Sequence, residues 1–134
     1  MTRRFGRFSA VGMAGAGVQM LVFGLAARRM PAAAAAALAV ELAVLHNFLW
    51  HQRFTWRDRP AAGLRERAAR LWRFHAANGI LSVAGNAAVV WLLAQQLGLP
   101  ALAAQGAAIA ICAPLNFWAA DRWVYRCGTG SPAM

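Results

Sequence analysis

The sequence contains no lysine and only four acidic residues, so its formal net charge of +10 comes from arginine alone. Charged residues make up 13% of the chain, against roughly 25% in soluble domains. The charges cluster in short stretches between long apolar runs, which favours an integral membrane protein. In a nucleic-acid-binding protein the arginines would line a soluble face, so we predict no nucleic-acid partner.

The sequence also lacks the residue patterns of an enzyme. It has no paired carboxylates, nucleophile elbow or phosphate-binding glycine loop. Its two cysteines are not spaced as metal ligands. Cys112 lies in an apolar run and Cys127 in a polar tail, so the two would lie at different depths in a membrane. We therefore predict no disulfide, no metal, no cofactor and no catalytic residue.

Four apolar runs are each about as long as the ~20 residues that cross a hydrocarbon core. They predict an all-α integral membrane protein with four transmembrane helices in a single domain, 1–134. The predicted spans are 8–27, 31–50, 74–97 and 99–120. Pro31 is well placed to open the second helix, and tight links around 28–30 and Gly98 make each pair of spans a helical hairpin. The first run is longer than a signal-peptide core, so we expect it to be retained.

The arginines are distributed unequally between the two sides of these spans. Arg28 and Arg29 lie in the link between the first two spans, and all the other arginines lie in the terminal tails and the central loop. The positive-inside rule assigns the arginine-rich side to the cytoplasm. We therefore predict that both termini and the central loop are cytoplasmic.

The central loop contains a segment with helical periodicity. Its apolar stripe consists of Leu64, Ala68, Leu71 and His75. Most arginines of the segment fall off this stripe. The pattern predicts a short cytoplasmic amphipathic helix that lies on the inner leaflet, contacts anionic membrane lipid and leads into the third span. The alternative is a solvated basic loop.

The two halves of the sequence resemble each other. Arg7–Phe8 opens the first span, and Arg73–Phe74 opens the third. An Asn-Phe pair closes the second and fourth spans, and an arginine follows six residues after each Asn, with aromatic residues one and three positions beyond it. These residues are Asn47, Phe48, Arg53, Phe54 and Trp56, and then Asn116, Phe117, Arg122, Trp123 and Tyr125. Each copy holds two spans, so the copies form a parallel repeat over about 7–56 and 73–125.

On these residues the chain resembles the GtrA-like family of small four-helix membrane proteins. The resemblance rests on Arg7-Phe8, on Val11-Gly12 and on both Asn-Phe and Arg-aromatic clusters, and it covers nearly the whole chain. It implies a multi-pass protein of the bacterial inner (plasma) membrane. It further implies flipping of a polyprenyl-phosphate-linked monosaccharide, a lipid-linked sugar used for cell-surface polysaccharide or cell-wall glycan synthesis.

A lipid-linked sugar carries an anionic phosphodiester, so a protein that moves it needs a cation. The arginines at matching repeat positions are the candidates for binding the lipid phosphate, and the alternative is that they only orient the helix ends. These candidates are Arg53, Arg122, Arg7 and Arg73. Other arginines are predicted to set topology or bind the leaflet, namely Arg57, Arg59, Arg65, Arg67 and Arg70.

Polar residues inside the spans are candidates for a sugar-binding cavity, because such residues are expected to face the bundle interior. The predicted set is Asn47, Asn116, Glu41, Gln19 and Asn78. Glu41 is the one acid well inside a span, where a charge costs about 3 kcal/mol. It is either a proton-coupled or hydroxyl-binding group, or a protonated side chain bonded to another helix.

Small residues at 12–16 predict close helix packing, either within the protomer or in an oligomer. Four short spans do not easily enclose a polar headgroup, which favours a homodimer. Two functions compete with transport. One is an adaptor that anchors a membrane glycosyltransferase. The other is a small proton-coupled multidrug exporter, which ranks lowest because such exporters carry their glutamate in the first span and Glu41 is in the second.

Overall fold

The computed structural model describes residues 2–126, apart from the side chains at 32, 33, 101, 102 and 105. Every regular element in this part of the chain is helical, as the predicted all-α fold requires. The chain divides into two compact units, Met1–Pro60 and Ala61–Met134, and each unit holds one copy of the predicted repeat. Cys127 lies outside the described residues, so the prediction about a disulfide is not tested.

The first unit is a hairpin of two helices, α1 (Thr2–Ala26) and α2 (Ala32–Trp50). Pro31 precedes α2 with φ of −55°, close to the value that its ring imposes. Its carbonyl accepts the first helical hydrogen bond, from the Ala35 amide at 3.0 Å. Pro31 therefore opens the second helix, as predicted. The hairpin ends in a wider π-helical turn, π1 (His51–Thr55).

The second unit begins with a helix of 33 residues, Leu64–Gln96. Its successive segments are α3 (Leu64–Ala77), π2 (Asn78–Gly85), α4 (Asn86–Val90) and π3 (Trp91–Gln96). The predicted amphipathic segment and the third span thus form one continuous helix of about 50 Å, longer than a ~30 Å hydrocarbon core. Gly98, with φ of 70°, follows the end of this helix. The next helix is α5 (Ala101–Ala119), which ends in π4 (Ala120–Val124).

Three helices among the described residues are long and apolar enough to cross a membrane. They are Thr2–Ala26, Ala34–Thr55 and Leu64–Gln96, and they correspond to the first three predicted spans. The fourth predicted span, 99–120, coincides with α5, a helix of 19 residues that continues into π4. The helices therefore agree with the predicted four-span arrangement.

Small residues line the buried face of the second helix in each unit and recur at every fourth position. They are Ala35, Ala39 and Ala43 in α2, and Ala104, Ala108 and Cys112 in α5. Small side chains let helix backbones approach closely. The approach in the first unit is close at Gly15, where an added Cβ would lie only 2.6 Å from Asn47 Cγ. Gly12 has nothing within 4 Å of such a Cβ, so the hairpin packs through Gly15.

Candidate anion site at the π turns

The second helix of each unit ends in a π-helical turn at the equivalent place. The Trp56 amide donates to the His51 carbonyl at 2.8 Å, and the Tyr125 amide donates to the Ala120 carbonyl at the same distance. The repeat therefore extends to the hydrogen bonds of the backbone. The second helices of the two units align residue by residue, because matching residues are separated by the same number of positions. These pairs are Pro31 and Pro100, Asn47 and Asn116, Arg53 and Arg122, and Trp56 and Tyr125. Single π-helical turns occur frequently at functional sites.

A buried aromatic cluster fixes the π turn of the first unit. Trp56 is fully buried, and His51 is 2% exposed. Phe8 of α1 stacks on the His51 ring, with the centroids 4.9 Å apart, and meets the Trp56 ring edge-on at 6.0 Å. His51 Nδ1 and Thr55 Oγ1 lie 3.0 Å apart, a hydrogen bond that spans the turn. These contacts attach the end of the second helix to the start of the first.

The second unit holds its π turn through a different set of contacts. Phe74, which matches Phe8, lies 6.4 Å from the ring of Tyr125, a fully buried residue. The Arg70 guanidinium lies 5.9 Å from the centroid of the same ring and forms a salt bridge with Glu66 at 2.5 Å. Burial raises the pKa of the Tyr125 hydroxyl, against a smaller opposing effect of the Arg70 charge, so Tyr125 stays protonated.

The burial of Arg70 corrects one prediction. Arg70 was predicted to set topology or to bind the leaflet; because it is 2% exposed, its side chain is not available to bind the leaflet, and its effect on topology stays a prediction. The available signal was its position four residues after Glu66, because an acid and a base at that spacing share a helix face. The aromatic partner, Tyr125, is distant in sequence, and no local pattern indicates it.

The first arginine of each repeat contacts the π turn of its own unit. The Arg7 guanidinium carbon lies 5.1 Å from the centroid of the Phe54 ring. Arg73 donates to the Trp123 carbonyl at 3.0 Å and to the Ala69 carbonyl at 3.2 Å. Phe54 and Trp123 are matched positions, so both arginines have the equivalent partner. Each of these half-buried arginines stabilises the turn next to it.

The second arginine of each repeat is exposed. Arg53 lies in π1, and Arg122 lies in π4. Phe54 links Arg7 to the turn that carries Arg53, and Trp123 links Arg73 to the turn that carries Arg122. The structure thus gathers the predicted cations into one pair per unit. In each pair one arginine contacts protein, and the other presents its guanidinium to the surroundings.

A comparison with protein families identifies the domain that contains these turns. The model of the family described as GtrA/DPMS, transmembrane domain, matches residues 7–125, a range that includes both repeats. The chain belongs to the GtrA/DPMS transmembrane domain family. This result confirms the predicted family and the helical membrane fold, and it connects the chain with glycan and lipid-linked sugar processes in membranes. A search of curated proteins finds no significant match.

Both predicted asparagines of this GtrA/DPMS domain contact the first helix of their own unit. Asn116 donates to Ser82 Oγ at 2.8 Å. Asn47 packs against Gly15, and its Oδ1 lies 3.3 Å from His46 Nδ1. Both asparagines therefore help to hold a hairpin together. Their part in sugar binding stays a prediction.

The other predicted polar residues differ in their exposure. Gln19 and Glu41 are exposed on the first unit, so neither side chain lies between α1 and α2. Asn78 is half-buried in the second unit. This exposure concerns their own hairpin alone, and their predicted position in the interior of the four-helix bundle is not tested. Their assignment to a sugar-binding cavity stays a prediction.

Proposed function

We propose that the chain translocates a polyprenyl-phosphate-linked monosaccharide across the bacterial inner membrane, for surface polysaccharide or cell-wall glycan synthesis. Membership of the GtrA/DPMS family supports the class of substrate. The duplicated π turn supports the mode of binding, because each unit presents an exposed arginine on a turn whose backbone is fixed by buried aromatic residues. This arrangement is the single observation on which the proposal depends.

An exposed arginine at a helix end suits the phosphodiester of such a lipid. The guanidinium offers paired donors that match two phosphate oxygens, and these charge-assisted hydrogen bonds are stronger than neutral ones. Phe54 and Trp123, which follow Arg53 and Arg122, are each 42% exposed. Exposed aromatic rings are typical of the depth of lipid headgroups. We therefore assign Arg53 and Arg122 as the residues that contact phosphate, and Arg7 and Arg73 as residues that position the turns.

The proposed role is that of a non-catalytic carrier in the inner membrane. The arginine distribution supports an orientation in which both termini and both π turns are cytoplasmic. A phosphate that is captured at the π turns would then come from the inner leaflet. Binding and release of an anionic headgroup need no covalent chemistry, so no nucleophile or general base is required.

Vesicles reconstituted with the protein and a short-chain polyprenyl-phosphate sugar test the proposal. We expect protein-dependent movement of the sugar lipid between leaflets. The double variant Arg53→Ala with Arg122→Ala should move the sugar lipid about tenfold more slowly or worse, because each substitution removes charge-assisted hydrogen bonds to phosphate. The charge-matched control is the pair Arg57→Ala and Arg65→Ala, two exposed arginines outside the repeat.

Three results would contradict the proposal. Equal slowing in the two arginine pairs would indicate a general effect of charge. No movement with the unaltered protein, together with co-purification of a membrane glycosyltransferase, would favour the adaptor function. Export of hydrophobic cations that is lost in Glu41→Gln would favour the exporter.

A further inference from the structure

The first unit has an apolar groove beside its π turn. The groove is open on one side, has a volume of about 310 Å³ and is lined by Ala10, Val11, Ala14, His46, Trp50 and Phe54. Small residues of α1 form one side, and rings from α2 and π1 form the other. The stretch from Ala10 to Ala14 is about one helical turn, or ~6 Å, along the helix axis. A groove of this size accommodates a short piece of an apolar chain.

A cationic group, that of Arg7, stands at one end of this groove. Phe54 lines the groove, and the Arg7 guanidinium lies against the same ring, 5.1 Å from its centroid. Arg53 directly precedes Phe54 and is exposed. The remaining lining is apolar except for His46. An apolar groove with positive charge at one end is complementary to a molecule that has one anionic group on an apolar chain.

We propose that this groove binds the first isoprenoid units of a prenyl phosphate, with the phosphate held by Arg53. The inference rests on the proposed function, because it specifies how the lipid part of that substrate is bound. One groove beside one cationic end fits a lipid with a single chain per phosphate, whereas a phospholipid has two. The flat rings of Trp50 and Phe54 suit the planar, methyl-branched double bonds of an isoprenoid.

The second unit does not repeat the lining of this groove. With Phe8 matched to Phe74, Ala14 corresponds to Ile80. With Asn47 matched to Asn116, Trp50 corresponds to Ala119. A large side chain thus replaces the small one on the first helix, and a small side chain replaces the ring on the second. The arginines of the π turns are duplicated, but the groove lining is specific to the first unit. The lipid chain is therefore assigned to the first unit alone.

Binding of geranylgeranyl phosphate to the full-length protein in detergent micelles tests this assignment. Ala14→Leu places a larger side chain in the groove and should weaken binding about tenfold or more, which corresponds to about 1.4 kcal/mol. Ala16→Leu is the matched control, because Ala16 is exposed on the same helix but does not line the groove. It should change the affinity by about twofold or less. Dioleoyl phosphatidic acid is the comparison lipid, and it should bind more weakly than geranylgeranyl phosphate.

An unchanged affinity in Ala14→Leu, or equal weakening in Ala16→Leu, would overturn the assignment. The assignment would also be overturned if phosphatidic acid bound as tightly as geranylgeranyl phosphate and if Ala14→Leu weakened the binding of both lipids equally. The groove would then accept any membrane lipid. The melting temperature of each variant checks the fold. If Ala14→Leu does not fold, Ala10→Leu gives the same test from the neighbouring turn.

The assignment and the proposed function fail in different ways. If prenyl phosphate binding depends on Ala14 but no sugar lipid moves in vesicles, the groove stands and the transport function does not. If the sugar lipid moves at the same rate in Ala14→Leu and in the unaltered protein, transport stands and the groove assignment does not.

Discussion

The His51 imidazole lies face to face with the Phe8 ring, with the two centroids 4.9 Å apart and the planes inclined by 12°. His51 also meets the Trp56 ring at 5.3 Å and an angle of 72°. Three rings from the two helices of the first hairpin thus form one cluster. This cluster gives the turn that carries Arg53 a defined position relative to the first helix.

We expect Phe8→Leu to destabilise the protein by about 1–2 kcal/mol, because leucine keeps an apolar side chain but removes the ring contacts with His51 and Trp56. Unfolding of the purified protein in detergent, followed by circular dichroism, measures this change. Phe23→Leu is the control, since Phe23 is an exposed residue of the same helix. Equal losses in the two variants would show that the ring contacts do not stabilise the hairpin.

Gly15→Ala should destabilise the first hairpin by about 1–3 kcal/mol, because the new methyl group would overlap the Asn47 side chain. Gly12→Ala should be neutral or slightly stabilising, since its Cβ meets no neighbour and alanine is the better helix former. Adding Asn47→Ala should restore part of the stability lost in Gly15→Ala, as a double-mutant cycle would measure. Additive losses would contradict this close contact.

Arg73→Gln and Arg122→Gln should separate positioning from ligand binding. Arg73 bonds the Trp123 carbonyl, so its loss should lower the melting temperature and weaken prenyl phosphate binding indirectly. Arg122 is exposed, so its loss should leave the melting temperature unchanged and weaken binding alone. Thermal unfolding and lipid titration of both variants test this division. A lower melting temperature in Arg122→Gln with unchanged binding would reverse the assigned roles.

The chain has one tyrosine, so the ultraviolet absorbance of tyrosinate reports Tyr125 alone. Burial raises its pKa, so the folded protein should form no tyrosinate until well above the usual pKa of about 10. The unfolded chain releases this proton first. The stability contribution is therefore complete below about pH 10 and is lost as the pH rises further. Tyr125→Phe should remove this alkaline loss, and an ordinary titration of Tyr125 would contradict its burial.

Much of the fold follows from the sequence because membrane thickness fixes the length of an apolar run. The hairpins follow from the short links between the spans, and the opening of the second helix follows from the preference of proline for the first helical turn. The repeat was visible because Asn, Arg and aromatic residues recur at fixed spacing. The pairing of Arg7 with Arg53, and of Arg73 with Arg122, follows from the same repeat once each hairpin closes.

The π turns could not be predicted in the same way. A π turn differs from an α-helical turn by a shift of one residue in its hydrogen bonds, and ordinary residues adopt both. Composition likewise shows that Glu41 is inside a span but not which face of the helix it occupies. The different roles of Arg7 and Arg53 depend on contacts between helices, which a local pattern does not contain.

A π turn amounts to one extra residue inserted into an α-helix. Deleting one residue within His51–Thr55 would restore α-helical hydrogen bonding. The residues that follow would rotate by about 100° about the helix axis, and Trp56 would lose its contacts with Phe8 and His51. The same extra residue occurs at the matching place, Ala120–Val124, in the other half. An equivalent deletion there would turn Tyr125 away from Phe74, whose ring it now meets.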